Sequence, residues 1–231
     1  MLSTLKKYRI FAGFFLLFSI ITIALFYSVL KPKKSLPIYN PSDVNPELVD
    51  STVQYIAKNH TISDFKFTNQ NGKTITEKNY KGKIYVADFF FTTCPTICPK
   101  MTTNMAWLQN QIKNNPKVML LSHSVTPDID SVPVLKKYAL EKGVIDGKWN
   151  LVTGDKKAIY YIARKSYMVV KTGKPEELYD MVHTENFVLI DAKRRIRGYY
   201  DGTNLDGPTE PGIKNVKQLL DDILFLCSEE N

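Results

Sequence analysis

Residues 89–100 read FFFTTCPTICPK, and this stretch decides the fold. It carries two of the three cysteines in the chain, Cys94 and Cys98. The residues leading into it, Ile84 to Phe91, form a short run dense in Ile, Tyr, Val and Phe, the pattern of a buried strand. The residues after it predict a helix from about Pro95 to Asn114, ended by Asn114-Asn115-Pro116. Pro95 and Pro99 are tolerated only near a helix start, where no i−4 hydrogen bond is lost. A helix beginning at about Pro95 places Cys94 at its N-cap and Cys98 about one turn in. The two sulfurs can then approach each other at the positive end of the helix dipole. A thiolate there has a lowered pKa and is a better nucleophile and a better soft-metal ligand. Strand, paired-thiol turn and helix together make a reactive or metal-binding placement.

Outward from this centre the chain alternates strands with helices. Asp64 to Thr76 reads as two strands around an Asn71-Gly72 turn. Val118 to Val125 is a second buried strand, and Ser131 to Lys142 a helix closed by Gly143. Trp149 to Thr153 is a short strand, and Asp155 caps a helix to about Lys165. Phe187 to Asp191 and Arg195 to Tyr200 read as two strands around a Lys-Arg turn, with Val216 to Cys227 as a closing amphipathic helix. Repeats and low-complexity tracts are absent from the sequence. The order fits an α/β domain of the thioredoxin-like fold.

The first 34 residues hold Lys6, Lys7, Arg9, Lys31, Lys33 and Lys34 and no acidic residue. These six account for most of the net charge of +8, so the remainder is close to neutral. No basic-aromatic patch supports nucleic-acid binding, and none is expected. Ile10 to Leu30 contains no charged residue and spans about 31 Å as a helix, the thickness of a bilayer core. No small-x-small cleavage site precedes Lys31 and Pro32, so the span reads as a retained signal anchor. Both flanks are basic, and the positive-inside rule sets no orientation. A short tail before the span is expected to leave the domain on the non-cytoplasmic side. The span starts too early for an Arg- and Ser-rich transit peptide, which favours a bacterial cell membrane. The expected division is a tail over 1–9, a single transmembrane anchor over 10–30, a linker over 31–61 containing Pro37, Pro41 and Pro46, and a thioredoxin-like domain over 62–231. The linker is expected to hold the domain off the membrane.

Cys94 and Cys98 admit three readings: buried structural thiols, a redox pair closing to a disulfide, or two ligands of a metal. Flanking prolines and a helix start disfavour the first. Three intervening residues make a looser motif than the C-x-x-C of oxidoreductases. Two thiolates are soft donors that select Cu(I) or Zn, and copper is satisfied by three ligands. His183, in the run Tyr179-Asp-Met-Val-His-Thr-Glu-Asn186, is the candidate third ligand, because the loop entering the Phe187 strand lies beside the cysteine turn in a thioredoxin-like fold. His123 is expected to be packed and hydrogen-bonded, and His60, in the linker, to be solvated. Cys227 is expected to be a packed small hydrophobe. Asp128 and Asp130 are expected to cap the next helix, with Asp130 alternatively supporting the site. Tyr160, Tyr161 and Tyr167 are expected in the core.

Phe91-Thr-Thr-Cys94-Pro-Thr-Ile-Cys98-Pro99 resembles the copper-site signature of the Sco/SenC proteins. Further stretches agree in order: Ser124-Val-Thr-Pro-Asp-Ile-Asp130-Ser with Leu135 and Tyr138, then Trp149 to Gly154, Tyr179 to Thr184, and Tyr200-Asp201-Gly202. The resemblance covers roughly Asp64 to Leu226. It implies a membrane-tethered, thioredoxin-like copper chaperone that serves assembly of the CuA centre of cytochrome c oxidase. Its implied copper ligands are Cys94, Cys98 and His183, holding Cu(I) and Cu(II) in an exposed three-coordinate site. The implied partners are the CuA subunit or another copper-receiving protein, with a thioredoxin-like reductant. Thr126, Asp180 and Val182 depart from the residues usual in the family. Competing functions are a thiol-disulfide reductase, which needs only Cys94 and Cys98, and a peroxidase, because Thr93-Cys94-Pro95 resembles part of the peroxiredoxin active site. No Arg stands in a suitable motif for the latter. A pure interaction module leaves the paired thiols without a use.

Overall fold

A computed structural model describes residues 2–30, 35–169 and 185–229 and divides the chain into two compact units, Met1–Ser35 and Leu36–Asn231. The first unit is one helix, α1 (Leu2–Leu30), which by length and composition can cross a membrane between Phe11 and Ser28. Two of its hydroxyls bond within the helix: Thr22 Oγ1 donates to Phe18 O at 2.6 Å and Ser28 Oγ to Leu25 O at 2.8 Å. Apolar surroundings demand such internal pairing.

The second unit is built on a seven-stranded sheet. Its strands are β1 (Lys66–Asn69), β2 (Thr74–Thr76), β3 (Ile84–Phe90), β4 (Val118–Ser124), β5 (Trp149–Thr153), β6 (Asn186–Ile190) and β7 (Ile196–Asp201), arranged 2-1-5-4-3-6-7. β3, β4 and β5 run parallel, and every other pairing is antiparallel. β3 and β4 are buried along their whole length, which explains why they read as continuous runs rather than alternating ones. The β1–β2 turn is closed by Asn69 Oδ1, which accepts from Asn71 N and Lys73 N at 3.0 Å each, and Gly72 takes the left-handed φ of +71° that the turn needs. Helices α2 (Ile97–Ile112), α3 (Val132–Glu141) and α5 (Val216–Glu229) cover the sheet. α4 (Lys156–Tyr161) is capped by Asp155, which accepts from Ala158 N at 2.8 Å. It then widens into a π-helix over Ile162–Tyr167 that ends at Met168 with φ 55°.

The segment expected as a linker is part of this unit from Leu36 onward. Pro41 and Pro46 open short 3-10 turns at Pro41–Asp43 and Pro46–Leu48 where an extended spacer was expected. Leu36 and Val49 are buried. Tyr39 N donates to Ile196 O at 2.9 Å. The Arg197 guanidinium donates to Leu36 O and Pro37 O, both at 2.9 Å, and lies 3.1 Å from the fully buried Asp191. His60 is likewise buried rather than solvated, with Nε2 2.8 Å from Ser166 O.

Two other expectations need correction. His123 is packed as expected, stacked on Phe89 at 4.8 Å and ringed by Phe65, Phe67 and Tyr167, but it is poorly hydrogen-bonded. Nδ1 is 3.4 Å from Asp88 O and the buried Nε2 has no partner. Burial pushes its pKa down to about 3, so it is a neutral ring. Of the three tyrosines expected in the core, Tyr167 is there, Tyr160 is half-buried and Tyr161 is exposed. Cys227 is half-buried on α5, packed against the core, with Asn115 Nδ2 at 3.4 Å from its sulfur.

Candidate metal centre

β3 ends at Phe90, and the chain turns before α2 begins. Cys94 N donates to Phe91 O at 3.3 Å, so residues 91–94 form a tight turn. A proline disfavours helical backbone at the residue before it, and Cys94 precedes Pro95. The helix therefore starts later than expected: Thr96 is its N-cap, Cys94 stands two residues before that, and Cys98 is the second residue of the first turn. Pro99 follows at a position whose N–H has no intrahelical partner to lose.

The geometry brings the two sulfurs together. Cys98 N donates to Cys94 Sγ at 3.5 Å, and Thr96 Oγ1 lies 3.8 Å from the same sulfur. Both are free thiols. Cys94 is 6% exposed and Cys98 3%, so both cysteines are buried where an exposed site was expected. Burial works against ionisation of Cys94, but hydrogen bonds from Cys98 and Thr96 outweigh it and hold its pKa below the ordinary thiol value. Burial pushes Cys98 up to about 12, and its hydrogen bond to Cys94 acts in the same direction. Of the two thiols, Cys94 is therefore the more readily ionised.

The turn is held by Asp130, for which the sequence favoured a helix cap over a supporting role at the site; the structure shows the supporting role. Asp130 does not cap α3, whose N-cap Ser131 makes no side-chain cap. Its buried carboxylate accepts from Thr92 N at 3.2 Å, from Thr92 Oγ1, from Ser124 Oγ at 2.6 Å and from Thr126 Oγ1 at 3.1 Å. One side chain ties the end of β3 to the end of β4 and shapes the approach to Cys94. Asp128 does not cap either; it is exposed and pairs with Lys156 at 3.3 Å. Below Cys98, Tyr138 OH lies 2.8 Å from Thr102 Oγ1. Burial pushes Tyr138 up to about 12, and the nearby cysteines and Asp88 add to the shift.

His183 lies outside the described residues, as do Tyr179, Asp180, Val182 and Thr184. Among the described residues no group of three His, Cys, Asp or Glu side chains converges as a metal site. Glu185, the first described residue after His183, is held at the cysteine end of the sheet. Gly202 N donates to Glu185 O at 2.7 Å, and Asn104 Nδ2 on α2 donates to Gly202 O at 2.8 Å. A Cβ on Gly202 would come within 2.7 Å of the Phe187 ring and 2.9 Å of Glu185 O, so only glycine fits. Asn104 was missed in the sequence, although a buried amide on the apolar face of α2 was the available signal.

Comparison with known proteins gives a consistent result. The family model SCO1/SenC matches residues 53–221. The SCO1 protein homolog of Bacillus subtilis (strain 168) is 34% identical over 161 residues, which is 69% of this chain and 82% of that protein. The solved structure of BsSco, described as a member of the Sco family of cytochrome c oxidase assembly proteins with a disulfide switch, matches with a TM-score of 0.60 and 31% identity. It covers 74% of this chain and 95% of its own. The crystal structure of Arabidopsis thaliana ScoI with copper bound matches with a TM-score of 0.53 and 26% identity, over 72% and 98% of the two chains. The thioredoxin-like architecture expected from the sequence is the one shared with these structures.

Proposed function

The chain belongs to the SCO1/SenC family, and from that premise we propose that it is a copper chaperone tethered to a bacterial cell membrane by α1, with its domain on the non-cytoplasmic side. Cys94, Cys98 and His183 are its copper ligands, and its cargo serves assembly of the CuA centre of cytochrome c oxidase, through the CuA subunit or another copper-receiving protein. The observation that carries this reading is the pairing of Cys94 and Cys98 across the first turn of α2, with Cys98 N donating to Cys94 Sγ at 3.5 Å. Two sulfurs so placed are a soft donor pair, and an imidazole completes a set that copper accepts and that suits zinc less well. The relative from Arabidopsis thaliana was solved with copper bound, which supports the same ion here.

The test is metal content of the reduced full chain in neutral detergent after anaerobic loading. About one copper per chain is expected in the parent, as for a single three-ligand site. Far less is expected in His183→Ala, and none retained in Cys94→Ser/Cys98→Ser. Equal copper in parent and His183→Ala would remove the histidine from the site.

A second reading, thiol-disulfide reductase, is favoured by the opposed pKa shifts of the two cysteines. In that reaction Cys94 thiolate attacks a partner disulfide, forming a mixed disulfide and releasing one partner thiolate. Cys98 then gives up its proton and attacks Cys94 Sγ, freeing the second partner thiol. The partner is reduced, the pair is oxidised, and a thioredoxin-like reductant restores it. His183→Ala leaves this activity intact and abolishes the chaperone function, which separates the two readings.

A further inference from the structure

On the outer side of α4 and the π-helix lies a cleft of about 270 Å³ lined by Asp50, Lys157, Tyr160, Tyr161, Arg164 and Lys165. We propose that this cleft seats an acidic, partly aromatic segment of the protein partner that meets the cysteine turn. The inference rests on the reading that such a partner exists, and concerns where it is gripped.

Charge is the first support. Three cations face one carboxylate across the cleft. Lys165 lies 3.8 Å from Asp50 and 2.9 Å from Thr52 Oγ1, and Arg164 also acts on the Asp50 charge, so the cations exceed the carboxylate by two. The second is an unmet donor: Arg164 Nε is buried and has no hydrogen-bond partner. Buried donors are almost always paired, and a guanidinium fork is shaped for a carboxylate. The third is the wall. The Arg164 guanidinium lies 5.8 Å from the Tyr160 ring and Lys165 Nζ 5.6 Å from the Tyr161 ring, and Tyr161 is 54% exposed. An exposed aromatic beside a cation suits a peptide side chain better than a bare inorganic ion. Asp50 inside the cleft also disfavours a flat, uniformly anionic lipid surface. The fourth is backbone: a π-helix is rare, is often found at functional sites, and here sets the residues that carry Arg164 and Lys165.

Position links the cleft to the site. Tyr160 OH donates to Val125 O at 3.4 Å, and Val125 N donates to Phe90 O at 2.9 Å, where β3 leads into the cysteine turn. One wall of the cleft is thereby fixed to the strand ends that lead into that turn.

The probe is a peptide of repeating Glu-Glu-Phe, with the Gln-Gln-Phe repeat as its neutral counterpart, added to the full chain in neutral detergent. The readouts are fluorescence anisotropy of the labelled peptide and the acetylation rate of Lys157, with exposed Lys113 as the internal reference. The acidic peptide should slow acetylation of Lys157 and leave Lys113 unchanged, and binding should weaken with added salt. Arg164→Gln should weaken binding about tenfold, the scale of one lost charge-assisted contact. Lys157→Gln, at an exposed position, should weaken it in the same direction and is the reporter if the Arg164 variant misfolds. Equal effects of both peptides, or an unprotected Lys157, would overturn the proposal. So would protection of Lys157 only when the chain sits in nanodiscs containing phosphatidylglycerol, which would assign the cleft to a lipid headgroup. No copper is involved in the assay, so failure here and failure of the chaperone reading are told apart by the metal-content measurement.

Discussion

At the scale of single residues, Asp130 and Asp88 decide how the site is built and how the domain answers to pH. Asp130 gathers three hydroxyls and one N–H from the ends of two strands that lead to the cysteine turn. Asp130→Ala would leave these donors buried and unsatisfied, costing about 1–3 kcal/mol. Urea unfolding should show the loss, and a copper competition assay should show weaker binding as the turn loosens. Asp88 is buried, accepts a hydrogen bond from Ser122 Oγ, and burial pushes its pKa up to about 7. Between its ordinary value of 3.8 and about 7, the unfolded chain gives up a proton that the folded chain keeps. Stability from this group is therefore full at acid pH and is lost as pH rises through about 7. Asp88→Asn should flatten that decline in melting temperature between about pH 4 and pH 7, and an unchanged slope would assign it to other groups. The cysteines were legible in the sequence because paired thiols beside prolines at a helix start have few other uses. Asp130 was legible only as a choice between a helix cap and a support of the site; the second holds, because its partner Thr92 lies 38 residues away at the end of β3.

Among the elements, strands were easiest to read where both faces are buried. β3, β4 and β5 were placed within a residue of their observed ends because a continuous apolar run has only one interpretation there. The start of α2 was misplaced by two residues because the turn is closed by Cys94 N to Phe91 O, which Pro95 alone does not reveal. The π-helix was invisible in the local pattern; one of its backbone carbonyls, Ser166 O, meets His60 Nε2, 106 residues earlier in the chain. Gly202 ties α2 to the start of β6 through Asn104. Gly202→Ala would force the Phe187 ring or Glu185 backbone to move, at a cost of about 1–3 kcal/mol. Chemical denaturation should show that cost. Copper binding should weaken along with it if β6 positions the approach to His183, and unaltered copper affinity in a destabilised variant would separate the two roles.

On the scale of the whole molecule, the domain begins at Leu36, and one side chain accounts for much of the difference from the expected linker. Arg197 reaches back 160 residues to Pro37 while it pairs with Asp191, a closure that no local pattern announces. Arg197→Ala should cost about 3 kcal/mol, as expected for a broken buried pair. It should also make residues 37–58 susceptible to limited proteolysis while the sheet stays protected. Arg197→Lys should rescue the charge but not the two carbonyl contacts, and so should restore stability without restoring protease resistance.

The same clasp has a mechanical meaning. Load applied through Ser35 meets the Arg197 bonds and the Tyr39–Ile196 bridge at the β7 edge of the sheet. β3 and its cysteine turn stand two strands inward. A pull on the chain at Ser35 should therefore extend the first stretch of the domain as a shock absorber. In an optical-trap record, a short yield before the main rupture would mark the release of that stretch, with the thiol pair still seated.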